Sequence, residues 1–249
     1  MADEKFSRNV LFWGEDFQKK LSSKYVFVFG LGGVGGFALE SLARCGIENF
    51  TIIDFDTVSP SNINRQIIAT NSTIGMKKAE VFAQRLKDIN PKINLRIFDT
   101  FYNEKLNTEI FSQKPDYVVD AIDSMKPKIQ LLKYCHENKI PVVTSLGAGN
   151  RVDPTQLKIC DISQIQNSKC SFMKNVIKNL KNVGIEDNLT VIISDEKPHS
   201  NKKILTEYEI ETNDGKIMIK KITPASTPFV PAVCGYYMAW WVISKFLNK

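Results

Sequence analysis

Apolar residues follow two rhythms along the first 150 positions. Compact apolar runs at "YVFVF" (Tyr25–Phe29), "FTII" (Phe50–Ile53), "LRIF" (Leu95–Phe98), "YVVDAI" (Tyr117–Ile122) and "PVVTS" (Pro141–Ser145) read as short strands. Between them apolar positions recur at helical spacing. Val34, Ala38, Leu42 and Ala43 mark one helix; Ala79, Phe82, Ala83 and Leu86 mark another, which stops at Asn90-Pro91. Strands spaced by helices predict an α/β protein with a Rossmann-like, mostly parallel sheet and helices on both faces. From about residue 157 the pattern changes. "LKIC" and "LTVIIS" read as strands, and "ILTEYEIETNDGKIMIKKI" alternates around Asn213-Asp214-Gly215 as a β-hairpin does. The uncharged run "FVPAVCGYYMAWWVI" spans 15 residues. A membrane-spanning helix needs about 20. A packed or dimer-facing helix is therefore expected, without stable membrane insertion. No linker or repeat interrupts the chain. It reads as a single domain over 1–249, with a binding core over 22–160 and a smaller hairpin-and-helix region over 161–249.

Composition narrows this little. With 33 basic and 27 acidic residues the chain carries +6, which permits a polyanionic partner without requiring one. Five widely spaced cysteines with no CxxC pair argue against a disulfide framework or a zinc site, so no zinc is expected. The N-terminus "MADEKFSRN" is charged rather than apolar, unlike a signal peptide, and a cytoplasmic location is the simplest expectation.

The chemistry concentrates after the first strand. Gly30, Gly32, Gly33 and Gly35 lie in "GLGGVG", a G-x-G-x-x-G between a strand and a helix. Glycines let backbone approach a phosphate chain, and a helix N-terminus presents unpaired N–H groups and a positive dipole end. Asp54 ends the second strand, 19 residues after Gly35. In a dehydrogenase such an acid holds ribose hydroxyls. That reading accounts for Asp54 alone and leaves Asp56, Asn62, Asn64, Arg65, Gln66 and Lys78 unexplained. Arg65 and Lys78 suit the charge that develops when a pyrophosphate leaves, which favours nucleotide chemistry over hydride transfer.

These residues carry a family resemblance. "GLGGVGG…DFDTVSPSNINRQ…GMKKAEV…DAIDS" resembles the ubiquitin-activating-type (ThiF/MoeB-like) adenylating superfamily, in which a substrate carboxylate attacks the α-phosphate of ATP. "YCHENKIPVVTSLGAGNRVDPTQLKICDI" and "SDEKP" are most similar to its tRNA threonylcarbamoyladenosine dehydratase branch. The resemblance implies ATP as cosubstrate, with Gly33 against the nucleotide and Asp54 on the ribose. It places Ser61, Asn62 and Arg65 on the phosphate-facing segment, with Lys78 as phosphate-binding lysine. Asp123 and Ser124 would lie where Mg²⁺ or the phosphates are reached, Asp123 being equally suited to cap a helix. Arg8 matches an arginine that reaches a dimer partner's ATP, although Lys5 and Asn9 depart from that motif. The branch implies tRNA as substrate, a homodimer, a monovalent cation and sulfur-relay proteins among its associates. Cys170 and Cys234 are the thioester candidates by position, though buried structural cysteines fit them better. Lys174, Lys178 and Lys181 recur at i, i+4, i+7 and are the candidate tRNA contacts. Two other readings stand beside this one: adenylation of a ubiquitin-like sulfur carrier's C-terminus, and a non-catalytic nucleotide-binding scaffold.

Overall fold

The computed structural model describes residues 4–165, 168, 170–199, 204–212 and 215–247. Two short helices, α1 (Ser7–Trp13) and α2 (Glu15–Ser22), lead into β1 (Tyr25–Phe29). The chain then alternates through α3 (Gly35–Arg44), β2 (Asn49–Ile53), α4 (Lys78–Ile89), β3 (Asn94–Phe98), the single turn α5 (Asn107–Ile110), β4 (Tyr117–Asp120), α6 (Met125–Glu137) and β5 (Val142–Ser145). β6 (Leu157–Asp161), α7 (Ser171–Asn182) and β7 (Thr190–Ser194) follow, then the hairpin strands β8 (Ile204–Thr212) and β9 (Gly215–Thr223), and α8 (Phe229–Leu247).

Seven strands form one sheet in the order β3-β2-β1-β4-β5-β7-β6. All pairs are parallel except β6 with β7, where Leu157 lies opposite Ser194. The central strands are apolar on both faces because helices cover both. Val26, Phe27, Val28 and Phe29 of β1 are all fully buried. The fourth strand is shorter than the sequence suggests. It ends at Asp120, whose Oδ1 accepts the Ile122 N–H at 3.0 Å; Ala121 still donates to the Phe29 carbonyl of β1, and Ile122 leaves the ladder. β8 and β9 pair antiparallel with Thr212 opposite Gly215, and their connecting residues Asn213-Asp214 lie outside the described residues.

Helix α8 is the uncharged C-terminal run. Pro231 sits in its first turn, where no intrahelical donor is needed. Val230, Cys234, Met238, Val242 and Phe246 face the core against α3. Gly235 is the point of closest approach: a Cβ there would lie 2.4 Å from the Val34 carbonyl oxygen. Among the described residues no helix is long and apolar enough to cross a membrane.

Candidate functional site

Parallel sheets of this kind bind ligands at the carboxyl ends of their strands, and the glycine turn, Asp54, Arg65, Lys78 and Asp123 lie in the segments that follow those ends. Gly30 leaves β1 at φ +85°, and a Cβ on it would meet the Ala121 carbonyl oxygen at 2.8 Å. A Cβ on Gly35 would sit 1.8 Å from the Gly30 oxygen. These two glycines let the turn close on itself. Gly32 is different: nothing lies nearer to its Cβ position than Gln66 Nε2 at 3.8 Å, so its backbone stays open to a ligand. Gly33 lies beneath Arg65 and Pro231.

Asp54 ties this turn to the second strand. Its Oδ2 accepts the Leu31 N–H at 2.6 Å and its Oδ1 the Asp56 N–H at 2.8 Å. Burial lifts the Asp54 carboxyl above its ordinary range; neighbouring Asp56 adds to this, while Lys78 opposes it. Lys78 opens α4, only 4% exposed, and its Nζ pairs with Asp56 Oδ2 at 2.6 Å. A lysine held this way is a prepositioned cation on the strand-two side of the turn.

Asn62 closes the "SPSN" turn, its Oδ1 accepting the Ser59 N–H at 3.1 Å. Ser61 is exposed and shares its hydroxyl with Ser59 at 2.9 Å. Arg65 is fixed by Nη1 donating to the Ser61 carbonyl at 2.8 Å and to Asn64 Oδ1 at 2.9 Å. Burial pushes the Arg65 guanidinium below its usual range, while Asp123 across the turn favours its charged form. Arg65 in the loop after β2 and Asp123 in the loop after β4 thus lie within electrostatic reach of each other.

Asp123 is not the cap of α6. Ser124 occupies that position, without a side-chain capping bond, and its hydroxyl donates to Asp123 Oδ1 at 3.3 Å. Among the described residues no three His, Cys, Asp or Glu side chains cluster as metal ligands. The donor set at the turn is thus one exposed carboxylate. That fits Mg²⁺, which takes one or two carboxylates and completes its shell with phosphate oxygens and water.

Beneath this turn the sequence reading missed a network. Lys128 and Asp120 are fully buried and paired at 2.5 Å, and Thr144 bonds both, at 2.8 and 2.7 Å. The network links α6, β4 and β5 directly under Asp123. Its only sequence signal is "DAIDSMKPK", where a lysine follows the strand acid by eight positions. Also missed was Glu196, whose carboxylate accepts the Val152 and Asp153 N–H groups and bonds His199. This joins "SDEKP" to "GAGNRVDPT".

Arg8 is not brought to Arg65 and Lys78 within the chain. It lines a separate cavity of about 840 Å³ with Lys5, Arg44, Arg85 and Asp88. Lys174, Lys178 and Lys181 are exposed on α7 and line a groove of about 850 Å³ floored by Ile162 and Ile177. Lys181 is partly neutralised by Glu186 at 3.4 Å. Cys170 and Cys234 are buried, and burial lifts the Cys234 thiol to about 11, which opposes a nucleophilic role.

A glycine turn after the first strand, a buried acid ending the second strand, and a buried lysine and a fixed arginine at the same sheet end define a nucleotide-binding α/β protein. The chain belongs to the ThiF family, whose model matches residues 6–249. It is similar to the tRNA threonylcarbamoyladenosine dehydratase of Bacillus subtilis (strain 168), at 37% identity over 243 residues, 98% of this chain and 94% of the relative. Its fold is similar to the crystal structure of E. coli tRNA N6-threonylcarbamoyladenosine dehydratase, TcdA, in complex with ATP, at a TM-score of 0.83 and 30% identity, covering 99% and 95% of the two chains. Similarity to the Haemophilus influenzae molybdopterin-synthase adenylyltransferase is 34% over 151 residues, 60% of this chain and 61% of the relative.

Proposed function

We propose that this chain catalyses the ATP-dependent dehydration of N6-threonylcarbamoyladenosine in tRNA, closing it to the cyclic form. The observation that carries the reading is the open backbone at Gly32 flanked by two prepositioned cations, Lys78, buried and paired with Asp56, and Arg65, packed on Gly33 and fixed by Ser61 and Asn64. The similarity to dehydratases runs the length of the chain, whereas that to the sulfur-carrier adenylating enzyme stops at 151 residues. This favours the dehydratase over the runner-up.

The free carboxylate of the threonylcarbamoyl group attacks the α-phosphorus of ATP. A carboxyl oxygen–phosphorus bond forms, the α,β-bridging bond breaks and pyrophosphate leaves. The backbone at Gly32 and Gly33 approaches the phosphates. Lys78 and Arg65 supply positive charge where negative charge accumulates on the leaving group, and preorganised charge of this kind often provides most of an enzyme's rate enhancement. The carbamoyl group then attacks the activated acyl carbon and loses a proton, and AMP departs with one carboxyl oxygen. The nucleophile for ring closure is internal to the substrate, so no thiol is needed. Asp123, with Ser124 beside it, is the residue that would hold Mg²⁺; when bound, the ion neutralises phosphate charge. We further assign Arg8 to the partner's nucleotide in a homodimer, and the α7 lysines to the tRNA backbone.

The test is mass analysis of nucleosides after tRNA, ATP and purified protein are incubated together. The threonylcarbamoyl nucleoside should lose the mass of one water, with AMP formed in equal amount. An unchanged nucleoside beside an adenylated sulfur-carrier C-terminus would move the assignment to the runner-up.

A further inference from the structure

Among the described residues, three buried side-chain polar atoms have no hydrogen-bond partner: Arg151 Nε, Thr227 Oγ1 and Gln66 Oε1. Buried polar groups are nearly always satisfied, so each orphan asks for a ligand or a reason. All three lie in segments at the carboxyl end of the sheet. Gln66 Nε2 is the side-chain atom nearest to Gly32. Thr227 lies on the strap 224–227, which is tied to the Arg65 loop by Asn64 Nδ2 donating to the Ser226 carbonyl. The same strap is tied to the Arg151 loop by a reciprocal pair between Asn150 and Ala225.

Arg151 is the most demanding of the three. It is 2% exposed, donates from Nη1 to the Gly149 carbonyl at 2.8 Å, and pairs with no carboxylate among the described residues. A buried charge without a counter-ion is costly, and native proteins pair such groups. Its loop is held in place from three sides. Asn150 sits at φ +59°, its carbonyl accepts the His199 N–H at 2.8 Å, and Val152 and Asp153 are fastened to Glu196. Strained backbone kept by so many bonds marks a functional position. Gly147, at φ +125°, leaves the space for the guanidinium: its Cβ position is only 3.4 Å from Nη1.

Sheet order supplies the direction. The nucleotide residues occupy the loops after β2, β1 and β4, ending at Asp123. The next strand across is β5, and the loop after β5 carries Arg151. This is the side of the phosphates opposite the ribose acid, where an acceptor has to enter. An Arg fork matches a carboxylate bidentately. We propose that Arg151 receives the free carboxylate of the threonylcarbamoyl group and orients it toward ATP, with Thr227 completing the subsite. This rests on the activity proposed above.

The experiment compares two tRNAs, one carrying the threonylcarbamoyl group and one lacking it. Their affinities are measured with a non-hydrolysable ATP analogue bound, alongside Mg-ATP affinity and turnover. The wild type should bind the modified tRNA more tightly. Arg151→Gln should abolish that preference and lower kcat/KM for the tRNA by at least about thirtyfold, the range for unpairing a buried charge, with Mg-ATP affinity unchanged. Arg151→Lys should recover part of the preference. If Arg151→Gln does not fold, Arg151→Lys and Thr227→Val must each reduce the preference. A preference that survives in the folded variants overturns the proposal, as does a selective loss of ATP affinity, which would assign Arg151 to the phosphates. Absence of the cyclic nucleoside with the wild-type protein would instead refute the activity itself, independently of the binding comparison.

Discussion

Substituting Gly235 by alanine sets two physical effects against each other with opposite signs. Gly235 lies within α8, where alanine is favoured over glycine by about 1 kcal/mol. Propensity alone therefore predicts a melting temperature higher by about 2–4 °C for a domain of this size. Packing predicts the reverse. The new Cβ would stand 2.4 Å from the Val34 oxygen, 2.8 Å from Phe37 Cβ and 3.0 Å from the Ala38 nitrogen. The first distance is roughly 1 Å short of ordinary contact. Two of the three neighbours are backbone atoms of α3 and its cap, which cannot rotate aside. α8 must withdraw as a body, and overpacking of this kind costs about 3 kcal/mol at its upper end. The net is about 2 kcal/mol of destabilisation, a fall of roughly 4–8 °C. Because Val34 caps α3 at the glycine turn, ATP should also bind more weakly if that turn holds its phosphates as proposed. Thermal unfolding with and without Mg-ATP reads both effects. A variant that melts higher than the parent would refute the packing argument outright.

Four further outcomes are expected. Arg65→Ala should lower kcat by about 10²–10³-fold, as loss of one charge-stabilising donor does, with unfolding by circular dichroism little changed; near-parental turnover would assign Arg65 to the surface. Cys234→Ala should keep most of the activity, since its thiol is buried and raised to about 11; complete loss in a folded variant would revive a thioester. Changing Lys174, Lys178 and Lys181 together to glutamine should weaken tRNA binding and flatten its salt dependence while leaving ATP binding intact; an unaltered salt titration would leave the α7 groove without a nucleic-acid role. Burial pushes the Glu196 carboxyl up, but the Asp153 and Val152 N–H groups and His199 outweigh it and hold it below its ordinary 4.5. A depressed carboxylate stabilises the fold above its unfolded value and loses that contribution as pH falls through the folded one. The stability gap between the parent and Glu196→Gln should therefore be full near neutrality and close below about pH 4.5, and a gap independent of acid would contradict the assignment.

What sequence could show here follows the range of the interactions involved. Strand and helix positions are local periodicities, and β1, β2, β3 and α4 stand where the apolar rhythm puts them. The glycine turn, Asp54 and Lys78 were legible for the same reason, since each is fixed relative to an adjacent element end. Failures came where a local rule has two near-equal solutions or a distant residue decides. Asp123 and Ser124 are adjacent and both suit a cap, and the chain uses the second. "YVVDAI" continues as strand by propensity, yet the Ile122 N–H turns back to donate to the Asp120 carboxylate and the strand ends there. The reversal of β6 has no local signature, because a strand's pattern reads the same in either direction. Nothing in the sequence pattern sets Arg151 apart from any other loop cation. Its burial depends on Ala225, Glu196 and Gly147, which no spacing rule connects to it.

The strap 224–227 and the first turn of α8 have a consequence for how the protein comes into being. Chains are synthesised from the N-terminus at about 5–20 residues per second, and early segments begin to fold before late ones exist. The glycine turn, Asp54, Arg65 and Lys78 all lie within the first 78 residues, so their loops can form early. Yet Asn64 takes its anchor from Ser226, Gly33 is roofed by Pro231, and α3 finds its main packing partner in α8. The nascent protein thus carries the glycine turn, Asp54, Arg65 and Lys78 long before the strap and α8 exist to hold them in place. A ribosome-bound or prematurely terminated chain that stops short of Pro231 should be blind to ATP, and ATP in turn should act as a ligand that rewards only finished molecules.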